Sequence, residues 1–586
     1  MKKKLLQVVA LLSAISLLLS GCAQPNTMPS ANTGAPISGA AVSASALLSE
    51  EDFLTDYDDS ATMIALKGTT AEIMGSGASY STGLVTITSA GTYVLSGSFD
   101  GQLLIDADKH ALVHIILNGV SIQCDNNAAI YGSKSKKIIL TLADNTENTL
   151  SDGTDYFYEN AEADEPNAAF FSKDDITLNG NGTLFINGNH ADGIRSKDTI
   201  IILSGNYEIT TVKDGIQGKD ALYIADGSFV INAGKDALKS SNDKDAEKGF
   251  VTVDGGVFEI TCGDDAFHAE TALTVNNGKI MIYACYEGLE GLTVEINGGE
   301  ISITSEDDGI NAAGGNSDTA EGPLSKDITT QNIALSADFD PFKDMEPPGG
   351  MEAPDGMEPH EGVEPPGDME IPGGFDGQGR FDGEKPADSG RQDFGGNPGG
   401  GFGGDFGENP GGGFGGGFGG NPGGGFGGGF GGDSDGNENA CITINGGTIY
   451  VNAGGDGIDS NGYFYMNGGT AYVEGPENNA NGALDYAYDA EISGGTFLAI
   501  GASGMAMSFG ENSSQQSIFL RLREWQNAGT EITLMDDGEV IFTFTSQKSF
   551  NSIVLSLPEL SSGITYALTC GSVTEEVTVS GNRMAR

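Results

Sequence analysis

The sequence predicts an all-β protein whose main body is a right-handed parallel β-helix, a solenoid of about 22 residues per coil, with a small C-terminal β domain. Two observations predict this fold. A glycine-led motif returns at a nearly constant interval, and the apolar residues inside each motif alternate with other residues. Alternation places the apolar side chains on one face of a strand, and the 91 glycines in 586 residues indicate a turn-dense fold.

The repeated unit is a glycine turn followed by a short strand. Units start at residues 182, 205, 227, 256, 278 and 299, so successive starts lie 23, 22, 29, 22 and 21 residues apart. Three more units start at residues 447, 469 and 495. A second strand precedes each glycine turn, and two strands in about 22 residues leave no room for a crossover helix. Parallel strands joined by such short connections favour a right-handed β-helix.

Stacked coils are expected to align their apolar residues into continuous core columns. The first column is predicted to contain Leu184, Tyr207, Phe229, Phe258, Ile280, Ile301, Ile449, Ala471 and Phe497. The second is predicted to contain Ile186, Ile209, Ile231, Ile260, Ile282, Ile303, Val451 and Val473.

Changes in composition divide the chain into six predicted segments. Lys2, Lys3 and Lys4 precede an apolar run that ends in Leu19-Ser20-Gly21-Cys22, which resembles a lipobox, so Cys22 is the expected lipidation site. The segments are a lipoprotein signal peptide (1–22), a flexible tether (23–55), the β-helix (56–340), a disordered Pro-, Gly-, Met- and Phe-rich insertion (341–438), the last coils (439–512) and a β capping domain (513–586). We expect a secreted monomer, lipid-anchored to the cell membrane and facing outward.

The charge of the chain excludes one class of partner. Asp and Glu number 83 against 28 Lys and Arg, and the formal net charge of −55 argues against nucleic acid. Apart from Cys22, five cysteines are scattered along the chain without a CxxC spacing, which argues against a zinc or dithiol redox site.

A carboxylate recurs in the turn five residues past the second core residue of nearly every coil. This column contains Asp192, Asp214, Asp236, Asp265, Glu287 and Asp308, with Asp456 as a further position. Carboxylates about 4.8 Å apart in adjacent coils repel each other by roughly 3–4 kcal/mol at an effective dielectric constant of 20. Oxygen ligands of this kind favour Ca²⁺, whereas the alternative is that each Asp caps its own turn. Asp243 and Asp245, in an acidic insertion with Glu247, form a second candidate metal site.

Five stretches of the chain resemble a known family. They are TYVLSG at 92–97, LNGVSI at 117–122, EPNAAFFSKDDITLNGNGTLFINGNHADGIRSKD at 165–198, SSNDKDAEKGF at 240–250 and DAFHAETALTV at 265–275. They are similar to the bacterial β-helical carbohydrate-binding domain proteins, which are related in fold to pectate lyases. The resemblance implies a calcium-containing β-helix that binds cellulose and acidic pectin of the plant cell wall without established catalysis. It carries calcium roles to Asp192, Asp214, Asp236, Asp243, Asp245 and Asp265.

Basic and aromatic residues beside the acid column are candidate polysaccharide contacts. Arg195 and Lys239 share one register, and Lys197 and Lys219 share another. The alternative for these bases is local pairing with neighbouring acids. Tyr450 and Tyr472 align one coil apart as an outward-facing stacking platform, or as a cross-strand pair that stabilises the sheet.

The function predicted from these features is non-catalytic, calcium-dependent polysaccharide binding at the cell surface. One alternative is a calcium-dependent polysaccharide lyase in which Arg195, Lys219 or Lys239 abstracts a proton. Another is a surface adhesin or structural solenoid without sugar specificity.

Overall fold

The computed structural model describes residues 47–158, 160, 163–313 and 436–580, which form strands and one short 3-10 helix, Glu50–Phe53. Within these residues no helix has the length and apolar character needed to cross a membrane. The strands before residue 314 are β1 (Thr62–Gly68), β2 (Thr70–Met74), β3 (Ala78–Ser81), β4 (Leu84–Ile87), β5 (Gly91–Asp100), β6 (Gln102–Asp106), β7 (Leu112–Gln123), β8 (Ile130–Lys134), β9 (Lys137–Leu142), β10 (Glu147–Ser151), β11 (Ala168–Ser172), β12 (Asp175–Gly180), β13 (Thr183–Gly188), β14 (Asp192–Ser196), β15 (Thr199–Ile202), β16 (Asn206–Thr211), β17 (Ile216–Gly218), β18 (Ala221–Ile224), β19 (Ser228–Ala233), β20 (Leu238–Ser240), β21 (Phe250–Val253), β22 (Val257–Cys262), β23 (Phe267–Val275), β24 (Lys279–Cys285), β25 (Leu289–Ile296), β26 (Glu300–Ser305) and β27 (Ile310–Ala312).

The strands after residue 435 continue the same pattern and then change to antiparallel pairing. They are β28 (Cys441–Ile444), β29 (Thr448–Ala453), β30 (Ile458–Ser460), β31 (Tyr463–Met466), β32 (Thr470–Glu474), β33 (Leu484–Tyr486), β34 (Asp489–Ile492), β35 (Thr496–Gly501), β36 (Ser517–Gln526), β37 (Glu531–Asp536), β38 (Glu539–Thr545), β39 (Phe550–Ser556), β40 (Thr565–Cys570) and β41 (Val573–Thr578).

Three parallel sheets run along the solenoid, which confirms the predicted parallel β-helix. Sheet I stacks β4, β6, β8, β11, β14, β17, β20, β23, β25, β27, β30 and β33. Sheet II stacks β1, β5, β7, β9, β12, β15, β18, β21, β23, β25, β28, β31 and β34. Sheet III stacks β7, β10, β13, β16, β19, β22, β24, β26, β29, β32 and β35.

Sheet I differs from the sequence prediction, which places turns at its central segments. Five of its twelve strands have three residues, such as Ile216–Gly218, and each of these places a single large apolar side chain in the core. One apolar residue per strand leaves no alternation to detect, so the period-2 signal is absent although the strand pairs with both neighbours.

The core contains the predicted columns, whose members are all buried, together with apolar side chains of sheets I and II. Tyr207, Phe229 and Phe258 stack along the axis, with ring centroids 5.1 Å and 4.6 Å apart. Each coil thus completes its core only against its neighbours, as expected of a solenoid.

The coils on either side of residues 314–435 are in contact and in register. β25 pairs with β28 through Thr293 and Cys441, and β26 pairs with β29 through Glu300 and Thr448. The predicted disordered insertion lies almost entirely outside the described residues. The strands of its two flanking coils pair directly with each other, and this pairing brings Asp308 next to Asp456.

Both ends of the solenoid are covered. At the C-terminal end, β39 pairs antiparallel with β35 and β36, and a separate sheet contains β38, β37, β40 and β41 in that order. This cap removes the exposed edge of the last coil. At the N-terminal end, β2 pairs antiparallel with β1, and Ala71, Ile73, Ala78 and Tyr80 pack against the core. The short helix docks instead on the outer face of sheet II, where the buried Asp52 pairs with Lys137 of β9 at 2.7 Å. The predicted tether over residues 23–55 is therefore wrong for its last part, because Asp52 fixes the short helix to sheet II.

Candidate cation-binding site

The predicted acid column lies at the corner where each coil passes from sheet III to sheet I. We call it the acid ladder, and it consists of Asp192, Asp214, Asp236, Asp265, Glu287, Asp308 and Asp456. Each acid sits at or just before the start of a sheet I strand, so the parallel register stacks it on the acid of the next coil. Most of these side chains are buried or half-buried rather than splayed into solvent.

One oxygen of most ladder carboxylates belongs to the next coil. The backbone N–H of Asp236 donates to Asp214 Oδ1 at 3.3 Å, and that of Asp265 donates to Asp236 Oδ1 at 3.0 Å. Across the insertion, the N–H of Asp456 donates to Asp308 Oδ1 at 2.7 Å. The aspartates therefore cap the turns of their neighbours, which explains why the residue recurs at one register.

In two of the first three coils, the second oxygen pairs with a basic residue three positions later. Arg195 donates to Asp192 Oδ2 at 2.7 Å, and Lys239 donates to Asp236 Oδ2 at 2.6 Å. Asp214 lies between these pairs, opposite Gln217. Burial and the neighbouring Asp236 and Asp192 raise the pKa of Asp214 to about 8. Protein cations thus neutralise this part of the ladder, and Arg195 and Lys239 are engaged inside it rather than presented to a polysaccharide.

His268 supplies the positive charge in the next coil. Its Nδ1 lies 2.9 Å from Asp265 Oδ2 and 2.6 Å from Glu290 Oε2. Burial lowers the pKa of His268, but its hydrogen bonds to Asp265, Glu270 and Glu290 raise it well above its usual value. Asp265, Glu287 and Glu290 place ligand oxygens within 4.8 Å of one another, and the imidazolium lies beside them.

The last part of the ladder contains carboxylates and no basic partner. Carboxylate oxygens of Asp308, Asp456 and Asp459 lie within 4.8 Å of one another. Among the described residues, no Lys, Arg or His makes an ion pair with any of the three. Burial and like-charged neighbours raise the pKa of Asp308 to about 9, of Asp459 to about 7 and of Asp456 to about 6. We call these three residues the open cluster.

Asn311 is the residue that suits this cluster to a metal ion. Its side chain is 7% exposed, and its Nδ2 donates to Glu287 Oε2 at 2.8 Å. Because a carboxylate oxygen must face the NH₂ group, the amide orientation is determined. The Asn311 Oδ1 is then buried without a hydrogen-bond partner, on a strand position that pairs with Asp459. Three carboxylates and one amide oxygen are the hard ligands that Ca²⁺ prefers.

Asp308 is predicted from the sequence, with Asp456 as a further position, whereas Asp459 and Asn311 are found only in the structure. The sequence signal that indicates these two ligands is the identity of the residue three positions after each acid. It is Arg195, Lys239 or His268 in three of the earlier coils, and Asn311 and Asp459 in later ones. The change from basic to oxygen-bearing residues at one register marks where the ladder becomes open.

The other predicted ligands are not gathered into a site. Asp243 and Asp245 are exposed, and Asp245 Oδ1 accepts the N–H of Glu247 at 3.1 Å. In the described part of the chain they belong to no cluster of potential metal ligands. Lys197 pairs with Glu165. Lys219 is exposed and follows the C-terminal end of β17, whereas Asp214 precedes the start of that strand.

The predicted tyrosine platform is wrong. Tyr450 is 4% exposed, and its hydroxyl donates to Glu474 Oε1 at 2.8 Å. Tyr472 stacks on Phe544 with ring centroids 5.2 Å apart. Both rings do point out of the solenoid, but the C-terminal domain covers that face of sheet III and takes them into its own core.

Comparisons with known proteins find a family model, a relative and a solved structure that are similar to this chain. A family model described as carbohydrate-binding domain-containing protein matches residues 81–330. A protein of the same description from Acetivibrio thermocellus is 43% identical over 199 residues, which cover 34% of this chain and 70% of that relative. A solved structure described as the polysaccharide lyase-like protein from C. thermocellum, in a gadolinium derivative, is 31% identical with a TM-score of 0.37. The match covers 41% of this chain and 92% of that one.

Proposed function

The chain belongs to the family of carbohydrate-binding domain-containing proteins, and from this premise we propose that it binds polysaccharide without cleaving it, in a calcium-dependent manner. The open cluster is the observation that carries the proposal. Asp308, Asp456 and Asp459 are half-buried, so a cation held by them remains accessible from solvent.

Calcium explains how a polyanionic protein approaches an acidic polymer. The formal net charge of −55 repels a uronate chain, and the ladder concentrates that charge at one corner. A bound Ca²⁺ supplies positive charge and coordination positions for sugar oxygens. The residues that would hold it are Asp308, Asp456 and Asp459, with Asn311 as the neutral ligand.

The state of Lys239 supports binding over a lyase reaction. A lyase base has to be unprotonated near neutral pH, which requires a lowered pKa. Burial lowers the pKa of Lys239, but Asp236 and Asp214 outweigh it and raise the pKa above its usual value. Lys239 is thus a permanent cation, and Arg195 is bonded to Asp192. Neither residue is positioned as a general base.

The proposed location is the outer surface of the cell. The lipobox-like sequence at Cys22 lies outside the described residues, and it motivates the proposal that a lipid anchor holds the protein at the membrane. Plant-type acidic polysaccharide is the proposed partner.

The test is retention of the protein on immobilised polygalacturonate, with ultraviolet absorbance monitoring of the eluate for unsaturated products. We expect retention in Ca²⁺, release by a chelator and no growth of absorbance during long incubation. Asp459→Asn should weaken retention, whereas Asp243→Asn, which changes an exposed acid outside the cluster, should not.

Three outcomes would contradict the proposal. Sustained product formation would identify a lyase. Retention that a chelator leaves unchanged would favour an adhesive surface without calcium dependence. Equal retention by Asp459→Asn and the unaltered protein would remove the open cluster from the mechanism.

A further inference from the structure

A pocket of about 430 Å³ lies at the same corner of the solenoid as the acid ladder, but in its first coils. Its wall contains three stacked turns, at Thr82–Leu84, Asp100–Gln102 and Gln123–Asn127, and its rim contains Phe157. The turns approach closely because residue 101 is Gly, where a Cβ would lie 2.1 Å from the Gly83 carbonyl oxygen. The volume falls in the range of small-ligand sites, about 300–1,000 Å³.

The lining combines neutral amides and carboxylates with one aromatic ring. Gln102, Asn126 and Asn127 supply amides, and Asp100 and Asp125 supply carboxylates. The Phe157 ring is 71% exposed, although water contact with an apolar side chain is unfavourable. Its backbone N–H donates to the Asn126 carbonyl oxygen at 2.9 Å, which holds the ring at the rim.

The amides are fixed in place before any ligand arrives. Gln102 Nε2 donates to Asn127 Oδ1 at 3.0 Å and to the Ala128 carbonyl oxygen at 2.9 Å. The Ala128 N–H donates to the same Asn127 Oδ1 at 2.9 Å. Within the described chain, Gln102 Oε1 and Asn127 Nδ2 have no protein partner, so an acceptor and a donor remain for a ligand.

We infer that this pocket binds a neutral sugar unit of a polysaccharide, an assignment that rests on the proposed function and adds a second kind of subsite to it. Sugar hydroxyls both donate and accept, which matches amides and carboxylates, and the apolar face of a pyranose ring packs on an aromatic ring. Among the described residues, the lining contains no Lys, Arg or His to receive a uronate carboxylate. Asp100 and Asp125 would repel such a group.

The test is calorimetric titration of the full chain with cellohexaose, xylohexaose and mannohexaose, in chelator and again in Ca²⁺. We expect at least one of the three to bind with an affinity that Ca²⁺ does not change. Phe157→Ala and Gln102→Leu should each weaken that binding about tenfold, while Phe157→Tyr should retain it. Phe53→Ala removes another exposed phenyl ring, 61% exposed, and serves as the matched control without effect.

Retention on polygalacturonate separates this inference from the proposed function. The pocket variants should keep calcium-dependent retention and an unaltered melting temperature. If retention fails while neutral sugars bind, the calcium proposal fails and the pocket stands. The pocket is disproved if none of the three oligosaccharides binds, if Phe157→Ala and Gln102→Leu bind as well as the unaltered protein, or if trigalacturonate displaces the neutral sugar from it.

Discussion

At the scale of single residues, the carboxylates of the acid ladder occur in two environments, with and without a basic partner. Oδ1 of an aspartate accepts a backbone N–H of the next coil, and in three coils Oδ2 pairs with the side chain three residues later. Where that residue is basic, the carboxylate is neutralised within the protein. Where it is Asn311 or Asp459, no basic side chain of the described residues pairs with the carboxylate, which can take up a proton or, in our proposal, bind a cation.

This difference predicts the pH dependence of stability without metal. The pKa of Asp308 is raised to about 9 and that of Asp459 to about 7, from 3.8, by burial and by neighbouring carboxylates. Between the unfolded and folded values the native state binds more protons than the unfolded chain, so stability decreases as pH rises. Urea unfolding in chelator should therefore give a free energy of unfolding that falls from about pH 5 to about pH 9.

Asp308→Asn provides the control for this pH dependence. Its amide oxygen can still accept the N–H of Asp456, but it carries no charge, so the decrease with pH should be shallower. A free energy of unfolding that stays constant or increases over this pH range in the unaltered protein would contradict the charge account of the open cluster.

The candidate site was only partly predictable from the sequence. The spacing of the acids located the ladder because a fixed coil length places equal registers in one column. The spacing of the acids does not identify Asp459 as a ligand, because Asp459 lies at a different register, three residues after the acid. The sequence also predicts that Tyr450 points outward, but it does not predict that the C-terminal domain covers this side chain. No local signal specifies where a distant domain packs.

At the scale of elements, the short helix Glu50–Phe53 docks on the outer face of sheet II through a buried ion pair and hydrogen bonds to β9 and β12. Lys137 Nζ lies 2.7 Å from Asp52 Oδ1, and Thr177 Oγ1 donates to the same oxygen at 2.5 Å. Asn179 Nδ2 donates to the Asp52 carbonyl oxygen at 2.9 Å. Polar residues of β9 and β12 are therefore satisfied only when the helix is docked.

Asp52→Asn should destabilise the protein by about 3–5 kcal/mol, because it leaves the Lys137 charge buried without a partner. Glu51→Gln is the matched control, since its pair with Lys136 at 2.6 Å is exposed and should contribute less than about 1 kcal/mol. Chemical denaturation measures both values. Equal effects of the two substitutions would show that the helix does not depend on the buried pair.

Strands differ in how well the sequence predicts them. Six-residue strands such as Asn206–Thr211 alternate and were located from their period. Three-residue strands of sheet I, such as Leu238–Ser240, place one large apolar side chain in the core and were read as turns. The periodic coil length still gave the correct architecture, because the fold requires only that equal registers stack.

At the scale of the whole molecule, the solenoid joins distant parts of the sequence into one site. β27 pairs with β30 across residues 314–435, so Asp308 on one side meets Asp456 and Asp459 on the other. The open cluster therefore lies partly beyond the residues 81–330 that match the family model. The pocket proposed to bind a neutral sugar and the open cluster lie along the same corner of the solenoid. A linear polymer that follows this corner could contact both.

Binding of a divalent cation by the open cluster is the central proposal. The most direct measurement is calorimetric titration of Ca²⁺ into metal-free protein, comparing the unaltered chain with Asp308→Asn/Asp459→Asn and with Asp243→Asn. We predict that the unaltered chain and Asp243→Asn bind Ca²⁺ equally and that the double variant loses this binding event. Binding that persists in the double variant, or its loss in Asp243→Asn, would contradict the account.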